Sequence, residues 1–232
     1  MTCEVWWAEL GEVRPWHEEL LDPVERLRKG KYRAPADRDR FMLGCAITRI
    51  MLGRRLGVPA AGVPLRRDCP ACARPHGKPR LPGDELHVSV SHSGRWVAVA
   101  ISGVGPVGID VERVAERSTA LVEAALADVE AEALGRTADP VAGFIAYWTR
   151  KEAVLKATGD GLRVPMSHVI VSPPDQPARL LGFRGRPLLR VALTDLPQRD
   201  GHAAALAILG VREVPRVAAG SAAPYLAGVT TA

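Results

Sequence analysis

The sequence contains little lysine and no long hydrophobic segment. Only five of its 31 basic residues are lysine, so the composition is strongly biased toward arginine. No run of about eighteen apolar residues is present, and a membrane-spanning helix is therefore not expected. Near the N-terminus, Glu4 and Glu9 interrupt the apolar stretch that a secretory signal needs. These features predict a cytoplasmic protein that makes no membrane contact.

Cysteine is also scarce, with four residues in the chain. Cys45 falls within an apolar helical pattern and is predicted to be a small core residue. Cys69 and Cys72 form a C-x-x-C sequence shortly before His76, and two thiolates and an imidazole are able to bind zinc. A structural zinc site needs four ligands, and no fourth is obvious nearby. The pattern favours a reduced loop over a zinc site and gives no indication of a disulfide scaffold.

Aromatic residues make up only 5% of the chain, and the net charge is +5 with a pI of about 9.3. This modest basic excess suits an anionic partner, either phosphate groups or an acidic protein. No aromatic-rich basic stripe of the RNA-binding kind accompanies it, so no nucleic-acid partner is expected. With 232 residues and 47% hydrophobic content, the chain forms one large domain or two small ones.

Hydrophobic periodicity predicts helices and strands in alternation along the chain. An amphipathic helix over 37–56 ends at Gly57, and an irregular segment rich in Pro, Gly and Arg follows over 57–83. Predicted strands lie at 86–91, 96–101, 107–111, 168–171, 188–193 and 203–209, and predicted helices at 120–134 and 141–157. After Val211 the composition predicts a loosely packed tail. Each half has a helix followed by strands, which fits either an internal duplication or a chance likeness of alanine-rich strands.

Two carboxylates occupy one face of the strand predicted over 107–111. Val107, Ile109 and Val111 point one way, so Asp110 and Glu112 project together on the other face. Such a pair suits a hard divalent cation, and magnesium in particular is held by one or two carboxylates plus substrate phosphates. An ordinary strand with a solvated acidic face has the same pattern.

A second charged motif lies on the helix predicted over 141–157. Glu152 and Lys156 are four residues apart and share one helix face with Trp148. One interpretation is an exposed ion pair of a few tenths of a kcal/mol. The alternative is that Glu152 completes a metal site while Lys151 or Lys156 meets a phosphate.

These two motifs together resemble the paired signature of the 4′-phosphopantetheinyl transferase superfamily. The first is Gly-Ile-Asp-Val-Glu at 108–112, and the second is Trp-Thr-Arg-Lys-Glu-Ala-Val-Leu-Lys-Ala at 148–157. His-Gly-Lys-Pro at 76–79 and Ser-Val-Ser-His-Ser-Gly at 89–94 are similar to the surfactin-synthetase-activating type, as are Arg40 and its helix. The resemblance covers about residues 33–162.

The resemblance implies an α+β fold of two similar, pseudo-twofold-related subdomains at 1–105 and 106–232. Each is expected to be a small, mostly antiparallel sheet packed against a long helix, with coenzyme A and Mg²⁺ in the cleft between them. The implied magnesium ligands are Asp110, Glu112 and Glu152. The implied contacts to coenzyme A are Arg33, Arg38, Arg40, Lys78, Pro79, Ser91, His92, Lys151 and Lys156.

The implied reaction moves phosphopantetheine from coenzyme A to a serine of an apo acyl or peptidyl carrier protein and releases 3′,5′-ADP. Negative charge then needs stabilisation on both sides of the β-phosphorus, which magnesium and Lys156 supply beside Glu152. Glu130 matches the family's candidate general base by spacing, although a helix crowded with carboxylates is also typical of a solvated face. The resemblance further implies a monomer with a role in secondary metabolism.

Two other functions remain open from the residues alone. One is a magnesium-dependent phosphohydrolase, since carboxylates and lysines around a nucleotide suit water attack as well as serine attack. The other is a non-catalytic zinc or nucleic-acid binding module, suggested by Cys69, Cys72 and the basic charge. That module leaves the spacing of Asp110, Glu112 and Glu152 unexplained.

Overall fold

The computed structural model describes residues 2–68, 72, 74–75, 77–83 and 85–228. The strands are β1 (Cys3–Glu9), β2 (His87–Ser93), β3 (Trp96–Ser102), β4 (Val107–Arg113), β5 (Val169–Val171), β6 (Leu180–Phe183), β7 (Val191–Arg199), β8 (His202–Leu209) and β9 (Val217–Ser221). The helices are α1 (Pro23–Lys29), α2 (Pro35–Leu56), α3 (Thr119–Ala125), α4 (Asp128–Leu134), α5 (Pro140–Thr158) and α6 (Ala223–Leu226).

Three small sheets form the β structure of the described residues. The first has the strand order β2-β3-β1-β9, the second has β4-β8-β7, and the third pairs β5 with β6. The described strands pair antiparallel except where β9 runs parallel to β1. The predicted α+β class, with small and mostly antiparallel sheets and long helices, is confirmed.

The two larger sheets face each other and each carries a long helix on its outer side. Alternate residues of β3 explain this layering, because Val97 and Val99 pack toward α2 while Ala98 and Ala100 pack toward the other sheet. In β8, Ala205 likewise packs with α5, on the face opposite the inner core. Strands covered on both faces lose the apolar-polar alternation that a half-exposed strand shows.

Side-chain hydroxyls connect β2 to β4, two strands that belong to different sheets. Alternate residues of β2 are serines, and each hydroxyl oxygen accepts a hydrogen bond from a backbone N–H of β4 twenty residues later. The bonds join Ile109 to Ser89 at 3.1 Å, Val111 to Ser91 at 3.2 Å and Arg113 to Ser93 at 3.0 Å. The hydroxyls thereby satisfy amides on the edge of β4 that does not pair with β8.

The segment after Val211 differs from the loose tail that its composition predicts. It returns to the first sheet, where β9 pairs with β1, and α6 then buries Leu226 in the core beneath α2. Backbone pairing and one large apolar side chain order this alanine- and glycine-rich segment. The division of the chain near residue 105 stays a prediction. β9 lies beyond that boundary, yet it belongs to the first sheet.

Helical structure over 120–134 is also interrupted where a single helix is predicted. Leu126 has extended backbone and closes α3, and α4 begins two residues later at Asp128. Neither glycine nor proline marks the break. Among the residues the structure describes, the helices include none with the length and apolar character needed to span a membrane.

Candidate functional site

A cavity of about 830 Å³ opens where β2, β4 and α5 meet. Polar and charged side chains from all three elements and from the preceding loop line its wall. They include Lys78, His92, Asp110, Glu112, Glu152 and Lys156. The structure therefore gathers these six residues into one cavity, although they span 78 positions of the chain, from Lys78 to Lys156.

Asp110 is the most deeply buried carboxylate of the cavity, with 3% of its surface exposed. Its Oδ1 accepts hydrogen bonds from Ser91 Oγ at 2.9 Å and from Lys156 Nζ at 2.6 Å. Its Oδ2 is buried and has no hydrogen-bond partner among the described residues. A buried oxygen of this kind is costly unless a further ligand satisfies it.

Glu112 lies two residues further along the same face of β4 and is partly exposed. Its Oε2 accepts hydrogen bonds from Ser93 Oγ at 3.0 Å and from the Arg117 guanidinium at 3.1 Å. Among the described residues, the guanidinium paired with Glu112 belongs to Arg117 and not to the adjacent Arg113.

Helix α5 places Glu152 and Lys156 beside these carboxylates. The helix begins where Asp139 accepts a hydrogen bond from the Ala142 N–H, and it ends at Gly159, whose φ is 78°. It packs directly on β4. The approach is so close that a Cβ atom added at Gly108 would lie 1.9 Å from a backbone oxygen of α5. Lys156 therefore reaches across to Asp110 rather than pairing along its own helix with Glu152.

Burial raises the pKa of all three carboxyl groups, and the charge of Asp110 adds to the rise at Glu112 and Glu152. Burial is the largest cause of the raised pKa of Asp110, and the Lys156 ammonium opposes that rise. Burial and then the charge of Asp110 raise the pKa of Glu112. Burial, Asp110 and then Glu112 raise the pKa of Glu152. This concentration of negative charge in a low-dielectric site favours a cation.

The arrangement fits magnesium as a partial site. Within the described ranges, no group of three or more His, Cys, Asp or Glu side chains is gathered so as to hold a metal ion by itself. Magnesium nevertheless binds through one or two carboxylates and completes its shell with substrate phosphates and water. The unpartnered Oδ2 of Asp110 and the neighbouring Glu112 are donors of that type.

Lys78 and His92 are cavity residues that the sequence identifies. Lys78 Nζ donates to the carbonyls of Val107 at 2.7 Å and Ala157 at 3.1 Å, so it joins the start of β4 to the end of α5. Burial, followed by repulsion from Arg80, lowers the pKa of Lys78 to about 7. Burial lowers the pKa of His92. Pro79 and Ser91 line the same cavity.

Glu130 and Lys151 lie elsewhere, as a buried ion pair behind α5. Their side chains are 2% and 0% exposed, and neither is among the described residues that line the cavity. Lys151 Nζ donates to Glu130 and also to backbone carbonyls of Ala125 and Met166. Glu130 accepts in addition the Val171 N–H at 2.9 Å. The pair therefore ties α4, α5 and β5 together.

The three arginines predicted to meet coenzyme A are likewise absent from the described cavity wall. Arg33 and Arg38 are exposed, and Arg38 Nε donates to the Tyr32 carbonyl at 2.8 Å. Arg40 donates to Asp37 and to the Gly94 carbonyl. These contacts place all three at the start of α2.

The sequence does not identify the part of the cavity wall that Tyr32, Phe41 and Arg67 form. Arg67 lines it and donates to the fully buried Glu25, yet its Nε has no hydrogen-bond partner among the described residues. Tyr32 and Phe41 contribute aromatic surface there. Arg67 lies in a connecting segment without periodicity, so nothing in the local pattern distinguishes it. Of the possible zinc ligands, Cys69 and His76 lie outside the described residues, and that question stays a prediction.

The similarity to known proteins agrees with these motifs. The family profile of the 4′-phosphopantetheinyl transferase superfamily matches residues 106–207, which contain both carboxylate motifs. The 4′-phosphopantetheinyl transferase HetI of Nostoc sp. is 31% identical over 200 residues, covering 84% of this chain and 81% of HetI. The chain therefore belongs to the 4′-phosphopantetheinyl transferase superfamily, as its motifs predict.

Other relatives match over a smaller part of their length. The 4′-phosphopantetheinyl transferase gsp of Aneurinibacillus migulanus is 33% identical over 139 residues, covering 59% of this chain and 55% of gsp. Sfp of Bacillus subtilis is 26% identical over 150 residues, covering 63% and 64%. A solved structure, the holo-[acyl-carrier-protein] synthase of Thermotoga maritima, is 24% identical, covers 48% of this chain and 64% of its own, and superposes with a TM-score of 0.36.

Proposed function

We propose that this protein transfers the 4′-phosphopantetheine group of coenzyme A to a serine hydroxyl of an apo acyl or peptidyl carrier protein, with Mg²⁺, and releases 3′,5′-ADP. The observation that carries the proposal is the buried Asp110, whose Oδ1 is bonded to Lys156 while its Oδ2 lacks a partner in the same cavity. Membership of the superfamily and the similarity to HetI, gsp and Sfp, which are named as 4′-phosphopantetheinyl transferases, support the proposal.

The residues of the cavity have separate roles in this reaction. Asp110, Glu112 and Glu152 would hold magnesium, which supplies charge neutralisation for the pyrophosphate of coenzyme A. Lys156 binds a phosphate oxygen and stabilises charge on the departing 3′,5′-ADP. The carrier's serine oxygen bonds to the β-phosphorus, the bond from that phosphorus to the 3′,5′-ADP oxygen breaks, and the serine proton is released to solvent. Lys78, Pro79 and His92 contact the nucleotide part of coenzyme A. Such a preorganised cluster of charges stabilises the transition state of phosphoryl transfer more than it stabilises the bound substrate.

The remaining predicted residues are assigned by their surroundings. The side chains of Glu130 and Lys151 form hydrogen bonds with each other and with backbone atoms, so we assign them a structural role. Arg33, Arg38 and Arg40 are proposed to meet anionic groups of coenzyme A or its carrier outside the cavity. The carrier is expected to be acidic around its serine, and the net charge of +5 favours that encounter. A cytoplasmic monomer remains the prediction from the sequence.

Intact-mass spectrometry of a purified apo carrier protein tests the proposal. The carrier is incubated with this protein, coenzyme A and Mg²⁺, with a chelator in a parallel reaction and an Asp110→Asn variant as control. A chelator-sensitive gain of about 340 Da, the mass of one phosphopantetheinyl group, is expected in a magnesium-assisted transfer. Release of 3′,5′-ADP from coenzyme A with every tested carrier unmodified would instead support the hydrolase.

A further inference from the structure

The serines of β2 do more than join two strands. Ser89, Ser91 and Ser93 occupy alternate positions, so their hydroxyls point to the same side, toward the edge of β4. Each hydroxyl oxygen accepts a backbone N–H of β4, as described above. Each hydroxyl also has one proton to donate.

Two of the serines donate to carboxylates of the cavity. Ser91 Oγ donates to Asp110 Oδ1 at 2.9 Å, and Ser93 Oγ donates to Glu112 Oε2 at 3.0 Å. In both cases the hydroxyl donates to the carboxylate of one β4 residue and accepts a hydrogen bond from the backbone N–H of the next residue. The geometry therefore repeats every two residues. At the third position, beside Ser89, the corresponding residue is Gly108 and has no carboxylate.

The hydrogen-bonding capacity of Ser91 is fully used. Its oxygen accepts from the Val111 N–H at 3.2 Å and from Lys156 Nζ at 2.9 Å, and its proton goes to Asp110. A hydroxyl group has one donor and two acceptor positions, so none is left for a phosphate. Ser91 is also only 5% exposed. This arrangement differs from the direct contact with coenzyme A that the family resemblance implies for Ser91.

We propose that Ser91 and Ser93 are positioning residues that orient the two β4 carboxylates toward a bound divalent cation. The inference rests on the proposed transferase function. Each serine fixes one carboxylate oxygen and so leaves the other oxygen in a set direction, as the unpartnered Oδ2 of Asp110 illustrates. Residues that hydrogen-bond metal ligands typically change metal affinity by about 10- to 100-fold when they are removed.

Ser89 provides a matched control for the test. Ser89→Ala removes the acceptor for a β4 amide without touching a carboxylate. Ser93→Ala removes the same kind of acceptor and also the serine hydrogen bond to Glu112, whose Oε2 then keeps only the Arg117 guanidinium. Binding of Mn²⁺ alone is measured for each purified variant from the electron paramagnetic resonance signal of the free ion, and urea unfolding is measured alongside. We expect Ser93→Ala to weaken Mn²⁺ binding about 10-fold, Ser89→Ala to leave it within about 2-fold, and Ser93→Thr to restore it.

Transfer kinetics give a second readout. Ser93→Ala should raise the magnesium concentration needed for half-maximal rate, with little change in kcat at saturating magnesium. Equal Mn²⁺ affinity in Ser93→Ala and Ser89→Ala, or loss with no recovery in Ser93→Thr, overturns the inference. If Ser93→Ala does not fold, Ser91→Ala against Ser89→Ala makes the same comparison at Asp110. A wild-type protein that binds Mn²⁺ but transfers nothing refutes the proposed function and leaves the binding comparison intact.

Discussion

Asp110 illustrates how a single residue is placed at a cost in stability. Its burial raises its pKa, so the folded protein holds the ionised carboxylate less well than water does. The Lys156 ammonium and the Ser91 hydroxyl offset part of this cost, while Oδ2 has no partner among the described residues. A buried charge that destabilises its own fold is typical of a functional site rather than a structural one.

Replacement of this carboxylate by its amide separates activity from stability. Asp110→Asn should lower the transfer rate by at least about 10²-fold, because it removes one of the charges proposed to bind the cation. The melting temperature should stay equal or rise, because the costly buried charge is gone. Carrier mass analysis and thermal unfolding check both parts. Glu132→Gln, on a side chain that is 72% exposed, is the control and should change neither.

The lowered pKa of Lys78 predicts that the stability of the protein depends on pH. Its folded-state pKa of about 7 lies below the ordinary value of 10.5, so the unfolded chain binds more protons between these values. The contribution of Lys78 to the free energy of unfolding is therefore fully present above about pH 10.5. It is lost as pH falls toward 7.

Urea unfolding of the wild type and of Lys78→Met at pH 7 and pH 9 measures this contribution. The wild type should gain about 1 to 2 kcal/mol more than the variant between the two pH values. A neutral amine keeps two N–H donors, which matches the two carbonyls that Lys78 contacts. Parallel pH profiles for the two proteins would show that Lys78 remains fully protonated in the fold.

At the scale of elements, the contact between α5 and β4 depends on one glycine. A Cβ atom at Gly108 would lie 1.9 Å from the Ala153 oxygen and 2.4 Å from the Ala157 nitrogen, both backbone atoms that cannot move independently of the helix. The absence of a side chain at this position therefore allows Lys156 to approach Asp110.

Gly108→Ala should lower the free energy of unfolding by about 1–3 kcal/mol or more, because it forces α5 away from the sheet. Chemical denaturation measures the change. Gly62→Ala is the matched control, since nothing lies within 4 Å of its added Cβ and that residue has no positive φ. An unchanged midpoint for Gly108→Ala would contradict the close packing.

The ion pair between Glu130 and Lys151 gives a test of two roles for one carboxylate. If the pair is structural, Glu130→Gln leaves a buried ammonium unpaired and destabilises the protein by about 3–5 kcal/mol, while kcat of the folded fraction is retained. If Glu130 is the general base, the rate falls by about 10²–10⁴-fold with stability preserved. Transfer kinetics at low temperature, together with urea unfolding, distinguish the two, and we expect the first result.

Elements with clear periodicity are predictable from this sequence. The helix predicted over 37–56 is α2, the one over 141–157 is α5, and the strands at 86–91, 96–101 and 107–111 are β2, β3 and β4 with small shifts at their ends. The interruption at Leu126 carries no breaker residue. The burial of Lys151 depends on Glu130, 21 residues earlier, and helical periodicity contains no information about such a partner.

On the scale of the whole molecule, the site is assembled from both halves of the chain. The carboxylates of β4 and α5 that are proposed to hold magnesium follow from paired motifs that a local pattern reveals. The serines of β2 that contact them depend on how two sheets meet, and the position of Arg67 in the cavity wall depends on its contacts with α1 and α2. The chemical class of the site is thus readable from the sequence, whereas its supporting contacts need the tertiary structure.

Removal of the segment after Val211 tests whether β9 and α6 are part of the fold. Its loss would expose the edge of β1 and remove Leu226, which is 1% exposed, from the core beneath α2. Stability should fall by about 3 kcal/mol or more, since one buried leucine alone contributes about 1.5–3 kcal/mol. Thermal unfolding of the shortened chain measures this change, and Leu226→Ala should reproduce part of it. An unchanged melting temperature would restore the loose tail that the composition predicts.

The parallel pairing of β9 with β1 has a consequence for synthesis on the ribosome. β1 is made first, but the strand that covers its free edge begins only at Val217, more than 200 residues later. Until that residue leaves the exit tunnel, the nascent chain carries an open strand edge, which is a template for pairing with other chains. Completion of the first sheet is therefore a late event, and we expect nascent chains stalled before residue 217 to depend more on chaperones than the released protein does.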